Sequence, residues 1–324
     1  MDRLDAMTAF VTTVDAGSLS GAARKLSRSP ASITRAVSAL EEHTGALLLR
    51  RTTRTVRLTE AGERYLVACR RILAELAEAD ALAAGEDVTP RGSLAVTAPL
   101  AFGRLHLRPV VDAFVLARRE VQVRLLLLDR LVNLIDEGID VAVRIAHLPD
   151  SSLVAVRVGE VRRVLCASPT YLARAPALAE PADLTHHDCV SFSQVTSGDV
   201  WSFADPGGGR ARQVKVRPRL VVNSAEAAVG SVASGLGVTS ALSYQVDREL
   251  REGTLVRLLP RWEPEPLPVH IVYPAASATS AKVRAFVDAA TPALRAALAT
   301  PSPRAPAPRA ARSAAPRRSP PRAR

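Results

Sequence analysis

The sequence predicts an α/β protein built as a small helical domain with a two-stranded wing, a connecting helix, and a larger domain of alternating strands and helices. Three observations lead there. Residues 1–58 carry three short helical patterns and then a hairpin pattern, and residues 59–86 carry one long amphipathic pattern. From Gly92 to about residue 297, apolar β-branched runs alternate with helical stretches, the signature of an α/β domain with a mainly parallel sheet.

In the first segment, Phe10, Val11 and Val14 mark the inner face of helix one. Ser18 is placed to cap a second helix over residues 18–26, lined by Ala22, Ala23 and Leu26. The third helix has the clearest start: Ser29 as N-cap, Pro30 at the first helical position, then Ile33, Val37 and Leu40 at helical spacing. Gly45 stops it. Leu47–Arg50 and Thr55–Leu58 then alternate as two strands around Arg51-Thr52-Thr53-Arg54.

Thr59, with Glu60 and Glu63 in the first turn, starts the long helix, since acidic groups complement the helix dipole there. Leu66, Leu73, Leu76 and Ala83 form an apolar seam, with Cys69 and Ile72 beside it. A coiled dimer covers such a seam economically; packing on its own domain is the alternative. Glu86–Arg91 is a Pro-containing linker.

Beyond it, strands are expected at Leu94–Thr97, Val121–Leu127, Val141–Ile145, Val154–Val158, Val164–Ala167, Leu220–Val222, Gly237–Thr239 and His270–Tyr273. Helices are expected at Leu105–Ala117, Leu131–Glu137, Ala225–Ser234, Tyr244–Glu252 and Ala281–Leu298, and Val195–Arg210 is expected to be a surface loop. Residues 300–324, rich in Pro, Ala and Arg, are expected to be disordered.

The net charge of +11 is unevenly placed: residues 300–324 hold seven arginines and no acid. Residues 24–57 hold Arg24, Lys25, Arg28, Arg35, Arg50, Arg51, Arg54 and Arg57 against only Glu41 and Glu42. Basic charge gathered in one folded segment suits a polyanionic partner better than a uniform excess would. The tail either adds salt-dependent, non-specific affinity for such a partner or is a plain terminal extension. No stretch approaches the about 20 apolar residues of a membrane span. The first residues lack a secretory pattern, so the chain is expected in the cytosol. Cys69, Cys166 and Cys189 form no C-x-x-C pair and read as buried apolar residues, a Cys166–Cys189 redox pair being the minor alternative. His186-His187-Asp188 lacks a second ligand group at zinc spacing, so neither metal nor cofactor is expected.

Helix two, a short turn and a Pro-started helix three make a helix-turn-helix, whose second helix enters the major groove. Its exposed face would present Ser29, Ser32, Thr34, Arg35 and Ser38 to base edges and phosphates. Arg50, Arg51, Thr52 and Arg54 at the hairpin tip would lie along the backbone or minor groove as a wing. An ordinary helical hairpin with a solvated basic face gives the same pattern.

The run Ser18-Leu19-Ser20-Gly21-Ala22-Ala23-Arg24-Lys25-Leu26 resembles the N-terminus of LysR-type transcriptional regulators. So do Ser29-Pro30-Ala31-Ser32-Ile33-Thr34-Arg35, Leu40-Glu41, Arg50-Arg51-Thr52-Thr53-Arg54 and Leu58-Thr59-Glu60-Ala61-Gly62. The resemblance continues in Gly92-Ser93-Leu94-Ala95-Val96-Thr97-Ala98-Pro99, Asp140-Val141-Ala142-Val143-Arg144 and Gly235-Leu236-Gly237-Val238, and covers about residues 3–297. One departure is Ser27, where such turns often carry Gly; serine costs little there if the residue avoids positive φ.

The resemblance implies a winged helix-turn-helix over 1–58, a linker or dimerisation helix over 59–86, and an effector-binding domain over 92–299. That domain is implied to be periplasmic-binding-protein-like, with lobe one at 92–160 and 267–297 and lobe two at 161–266. It also implies a homodimer, or a tetramer as a dimer of dimers, on an interrupted palindromic operator in double-stranded DNA. A small-molecule effector, for which the donors available suit an anion, would sit beyond the strand ends. Thr97, Ala98 and Pro99 offer amides and a hydroxyl, Arg144 a guanidinium, and Asn223 and Ser224 face them from the other lobe. Phe192 and Gln194 line the same side by position in the resemblance. Alternatively Thr97 and Ser224 are N-caps and Arg144 is a structural ion pair.

Two rival classes are weaker. An enzyme finds no G-x-S-x-G, H-E-x-x-H or P-loop, and Gly235-Leu236-Gly237 lacks a third glycine. A solute-binding protein of a transport system, or a cytosolic small-molecule-binding protein with a merely basic surface, leaves residues 18–62 unexplained.

Overall fold

A computed structural model describes residues 2–51, 56–83, 89–192 and 199–299. Its contacts divide into two compact units, one containing the N-terminal residues up to Leu94 and the other containing most of the α/β domain, Arg124–Ala275 included. Expectations that fall on Thr52, Thr53, Arg54, Gln194 or residues 300–324 lie outside the described residues.

In the N-terminal unit, α1 (Arg3–Asp15), α2 (Leu19–Lys25) and α3 (Pro30–Thr44) precede a hairpin of β1 (Leu49–Arg51) and β2 (Val56–Leu58), followed by α4 (Glu60–Ala83). The caps are those the sequence named. Ser18 Oγ accepts from the Gly21 amide, Ser29 Oγ accepts from the Ser32 amide, and Gly45 closes α3 at φ 64°. Ala22, Ala23, Ile33, Val37 and Leu40 meet Phe10, Leu48 and Leu49 in one core. Burying these side chains fixes the α2–α3 crossing. Thr59 Oγ1 accepts from the Gly62 amide and starts α4. At Gly62 only a hydrogen fits, because a Cβ would stand 2.0 Å from the Leu48 carbonyl oxygen.

The turn between α2 and α3 departs from expectation. Ser27 takes φ 52°, the left-handed region, because Arg28 N reaches back to Ala23 O and closes the end of α2. The serine therefore carries a strain that glycine would not.

The apolar seam of α4 divides between two roles. Leu66 and Cys69 are buried in the three-helix core and Leu73 packs on it. Val67, Ile72 and Leu76 remain exposed along the helix.

The α/β domain opens with β3 (Gly92–Ala98) and a helical run composed of α5 (Leu100–Phe102), a π turn at Gly103–Leu107, and α6 (Arg108–Ala117). Then follow β4 (Val121–Leu127), β5 (Val141–Ile145), β6 (Leu153–Val161) and β7 (Arg163–Ala167). Next come α7 (Pro169–Leu172), β8 (Cys189–Phe192), β9 (Val200–Phe203), β10 (Arg212–Lys215) and β11 (Pro218–Val222). After these come α8 (Ala225–Ala233), β12 (Val238–Leu242), α9 (Ser243–Glu252), β13 (Val256–Leu258), β14 (Leu267–Pro274) and α10 (Ala281–Ala299).

Two five-stranded sheets result, in the orders β4-β3-β5-β14-β6 and β11-β8-β12-β7-β13. These are the sheets of the two lobes. They are mixed rather than mainly parallel: β14 runs antiparallel to both β5 and β6, and β7 runs antiparallel to β12 and β13. Apolar alternation cannot report strand direction, so the sequence had no access to this.

The expected helix at Leu131–Glu137 is absent; only a short turn forms and ends at Gly138, φ 63°. Asn133 competes for the backbone there, its Oδ1 accepting from the Ile135 amide at 3.1 Å. The expected loop at Val195–Arg210 contains β9, which pairs with β10 and brings Phe203 into the core of its lobe. Strands β8, β9, β10 and β13 are short and were not anticipated; a three- or four-residue run carries too little periodicity to register.

Candidate DNA-reading surface and effector cleft

On α3, Ile33, Ala36, Val37 and Leu40 face inward, which turns Arg35 and Ser38 outward and leaves Ser32 and Thr34 half-buried at the edge. Ser29 and Thr34 are committed locally, Ser29 to its cap and Thr34 Oγ1 donating to Pro30 O at 2.9 Å. Arg35 is thereby the long polar side chain standing clear on this face. Arg24 and Lys25 are exposed at the end of α2, and Arg28 is engaged with Asp5 at 3.0 Å. In the wing, Arg50 lies opposite Arg57 and both are exposed; Arg51 lies opposite Val56.

Sequence reading did not anticipate how the wing is held. Glu41, largely buried, accepts from the Leu48 and Leu49 amides at 2.9 and 3.0 Å. One carboxylate on the inner side of α3 thus fixes where β1 begins. A glutamate at the buried spacing of a helix, eight residues before a strand, was the available signal.

At the strand ends of the first lobe, Thr97 is buried, and its hydroxyl donates to Leu126 O at 2.7 Å. Thr97 thus clamps β3 to β4, and its hydroxyl proton is already given to the chain's own carbonyl. Ala98 and Pro99 follow at the strand end, and Leu100 N, the first helical amide, donates to Asp129 Oδ1 at 2.9 Å. Arg144 is half-buried and donates to Val132 O at 2.8 Å; it is neither bare nor in an ion pair among the described residues. In the second lobe Phe192 ends β8 half-buried, Asn223 is exposed after β11, and Ser224 caps α8 by accepting from the Ala227 amide. Parallel pairing of β11 with β8 brings Val222 beside Phe192, so Phe192 and Asn223 come together at one strand end.

An aromatic cluster near these strand ends was not foreseen. Phe102 lies 5.5 Å edge-on from Tyr244 and 5.0 Å from His106. Burial lowers the His106 pKa and raises that of the Tyr244 phenol, to which the Asp129 carboxylate adds. Arg104 and Glu226 form a 3.2 Å ion pair between the helical run after β3 and α8.

The cysteines are free and buried. Cys166 and Cys189 lie in strands on opposite sides of β12, opposite Thr239 and Val238 respectively. Two strand spacings, about 9–10 Å, exceed disulfide reach, so the alternative of a direct redox pair fails on geometry. Among the described residues no three His, Cys, Asp or Glu side chains gather as for a metal ion, and no helix is long and apolar enough to cross a membrane.

Residues 4–63 match the bacterial regulatory helix-turn-helix proteins of the lysR family, and residues 88–295 match the LysR substrate binding domain. The chain belongs to the LysR family of transcription regulators. It is a DNA-binding regulator whose second domain is of the kind that takes a small-molecule effector. The regulator is 33% identical over 288 residues to the HTH-type transcriptional repressor PA14_22550 of Pseudomonas aeruginosa, covering 89% of this chain and 91% of that one. It is 34% identical over 289 residues to the transcriptional regulator PtxR from the same species, covering 88% and 91%. Among solved structures it resembles CrgA of Neisseria meningitidis, with TM-score 0.57, 31% identity and coverage of 90% and 98%. The full-length virulence activator AphB of Vibrio cholerae gives TM-score 0.57 and 28% identity, with the same coverage.

Proposed function

We propose that the regulator binds an interrupted palindromic operator as a homodimer able to pair into a tetramer, and that an effector between the lobes of its second domain changes that assembly. The observation that carries this reading is the orientation of α3: its capped, Pro-started helix buries Ile33, Val37 and Leu40 and turns Arg35 outward. Arg35 and Ser38 are assigned to base edges, Ser29, Ser32 and Thr34 to the approach of α3 to the groove, and the wing arginines Arg50, Arg51 and Arg54, with Thr52, to phosphates. The exposed Ile72 and Leu76, neighbours at i, i+4 on α4, support pairing of two linker helices, since that apolar edge needs a partner.

The effector is assigned to the strand ends bordered by Ala98, Pro99, Arg144, Phe192 and Asn223, with Gln194 two residues beyond Phe192 in sequence. At the same strand ends the Thr97 hydroxyl donates to Leu126 O and the Ser224 hydroxyl accepts from the Ala227 amide. Of the donors that suggested an anionic effector, Arg144 keeps spare N–H groups, whereas the Thr97 hydroxyl and the Leu100 amide are spent. Ligand shifts the assembly only through unequal affinity for its two arrangements. No chemical turnover is assigned, and the work is placed in the cytosol.

Footprinting of the purified chain on DNA flanking its own gene tests the operator reading. A discrete, interrupted palindromic footprint is expected; weak binding along all DNA, abolished by modest salt, would reduce α3 and the wing to a basic surface.

A further inference from the structure

The strand-end cleft was expected to offer donors to an anion, yet two of those donors, the Thr97 hydroxyl and the Leu100 amide, are already taken by the chain itself. The first amide of the helical run after β3, the group best placed to receive a carboxylate, already donates to Asp129. The chain's own carboxylate therefore stands where an anionic ligand would. One of its oxygens accepts this bond, and a carboxylate has about four lone-pair sites, so acceptor capacity remains. Asp129 is half-buried, and among the described residues no arginine or lysine forms an ion pair with it. The adjacent Arg130 is held away by Glu137 through two bonds of 2.7 and 2.6 Å.

The surroundings suit an apolar body. Leu100, whose amide Asp129 holds, is 43% exposed, and Leu131, two residues beyond Asp129, is 80% exposed. The Asp129 charge also reaches the Tyr244 phenol, whose ring packs edge-on against Phe102, although the Arg163 guanidinium acts on the same phenol with the opposite sign. A carboxylate with acceptor capacity to spare, beside exposed leucines, is the constellation that recognises an organic ammonium.

We propose that the effector presents a positively charged, hydrogen-bond-donating head to Asp129 and lays an apolar body against Leu100 and Leu131. This rests on the assignment of the effector to the strand-end cleft. Asp129 sets the charge class of the ligand; an anion approaching Leu100 N is refused by the carboxylate already seated there.

Three small probes of similar skeleton test it by calorimetry on the full chain: phenethylamine, protonated at pH 7, 3-phenylpropionate and 3-phenylpropanamide. Phenethylamine is expected to bind at least about tenfold more tightly than 3-phenylpropionate, and Asp129→Asn to weaken the amine about tenfold or more. Asparagine keeps an oxygen for Leu100 N, so the fold survives; unchanged circular dichroism and operator binding check that. Tighter binding of 3-phenylpropionate than of phenethylamine, or no binding of any probe, overturns the proposal. So does amine binding that Arg144→Gln abolishes and Asp129→Asn does not touch, which leaves the cleft assignment standing. Amine binding indifferent to both variants moves the effector elsewhere and overturns the cleft assignment with it.

Discussion

Glycine at position 27 should stabilise the DNA-binding domain. Ser27 sits at φ 52° in the turn that joins α2 to α3. A left-handed conformation costs an L-residue about 1–2 kcal/mol through the clash of Cβ with the backbone. Glycine escapes this, but it loses about 0.5–1 kcal/mol more conformational entropy on folding. The difference leaves Ser27→Gly more stable by about 0.5–1 kcal/mol. Nothing in the native contacts opposes it, because Ser27 contributes its backbone N–H to Arg24 O and that bond is kept. A chain of two units does not unfold in one step, so a global melting curve blurs the effect. Native-state hydrogen exchange of the full chain isolates it, read at the core amides of Phe10, Val37 and Leu40. Their exchange should slow by about two- to fivefold in Ser27→Gly. Ser27→Ala should leave it unchanged, because alanine carries the same Cβ. Equal slowing in both variants, or no slowing in glycine, would refute the argument from backbone strain.

Glu41→Ala strands two buried amides, those of Leu48 and Leu49. A loss of about 2–4 kcal/mol is expected from exchange at the same core amides; Glu41→Gln, which retains an acceptor oxygen, should lose clearly less. Arg35→Ala should weaken operator binding by about 10–100-fold while circular dichroism stays unchanged. Full affinity in that variant would mean that α3 does not read the operator. Burial pushes the Cys166 and Cys189 thiols up to about 12 and Cys69 up to about 11. All three should resist iodoacetamide at pH 8 in the native chain and react once it is unfolded; rapid native alkylation would contradict their burial. The sign of the linked pH dependence follows. Above the ordinary thiol value of 9.0 the unfolded chain ionises while the folded chain keeps its protons, so their stabilising contribution is complete below that pH. Urea midpoints should therefore fall as the pH rises from about 9 towards 12.

The N-terminal domain was legible almost residue by residue. Caps, the proline at the first position of α3 and the i, i+3, i+4 spacing of Ile33, Val37 and Leu40 are local signals, and each acts within about one helical turn. The order of family motifs added the class of function. Tertiary structure decided what depends on contacts distant in the chain. Glu41 became the anchor of the wing only once Leu48 and Leu49 folded back onto α3. The direction of β14 and β7 was set by long-range pairing that alternation of apolar residues does not encode. The same applies to the cleft. Thr97 and Arg144 have donors in any conformation, but whether those donors face a ligand or the chain's own carbonyls depends on Leu126 and Val132. Sequence specified which polar groups exist; only the fold decided which remain free, because a buried polar group must find a partner and takes the nearest one that packing supplies.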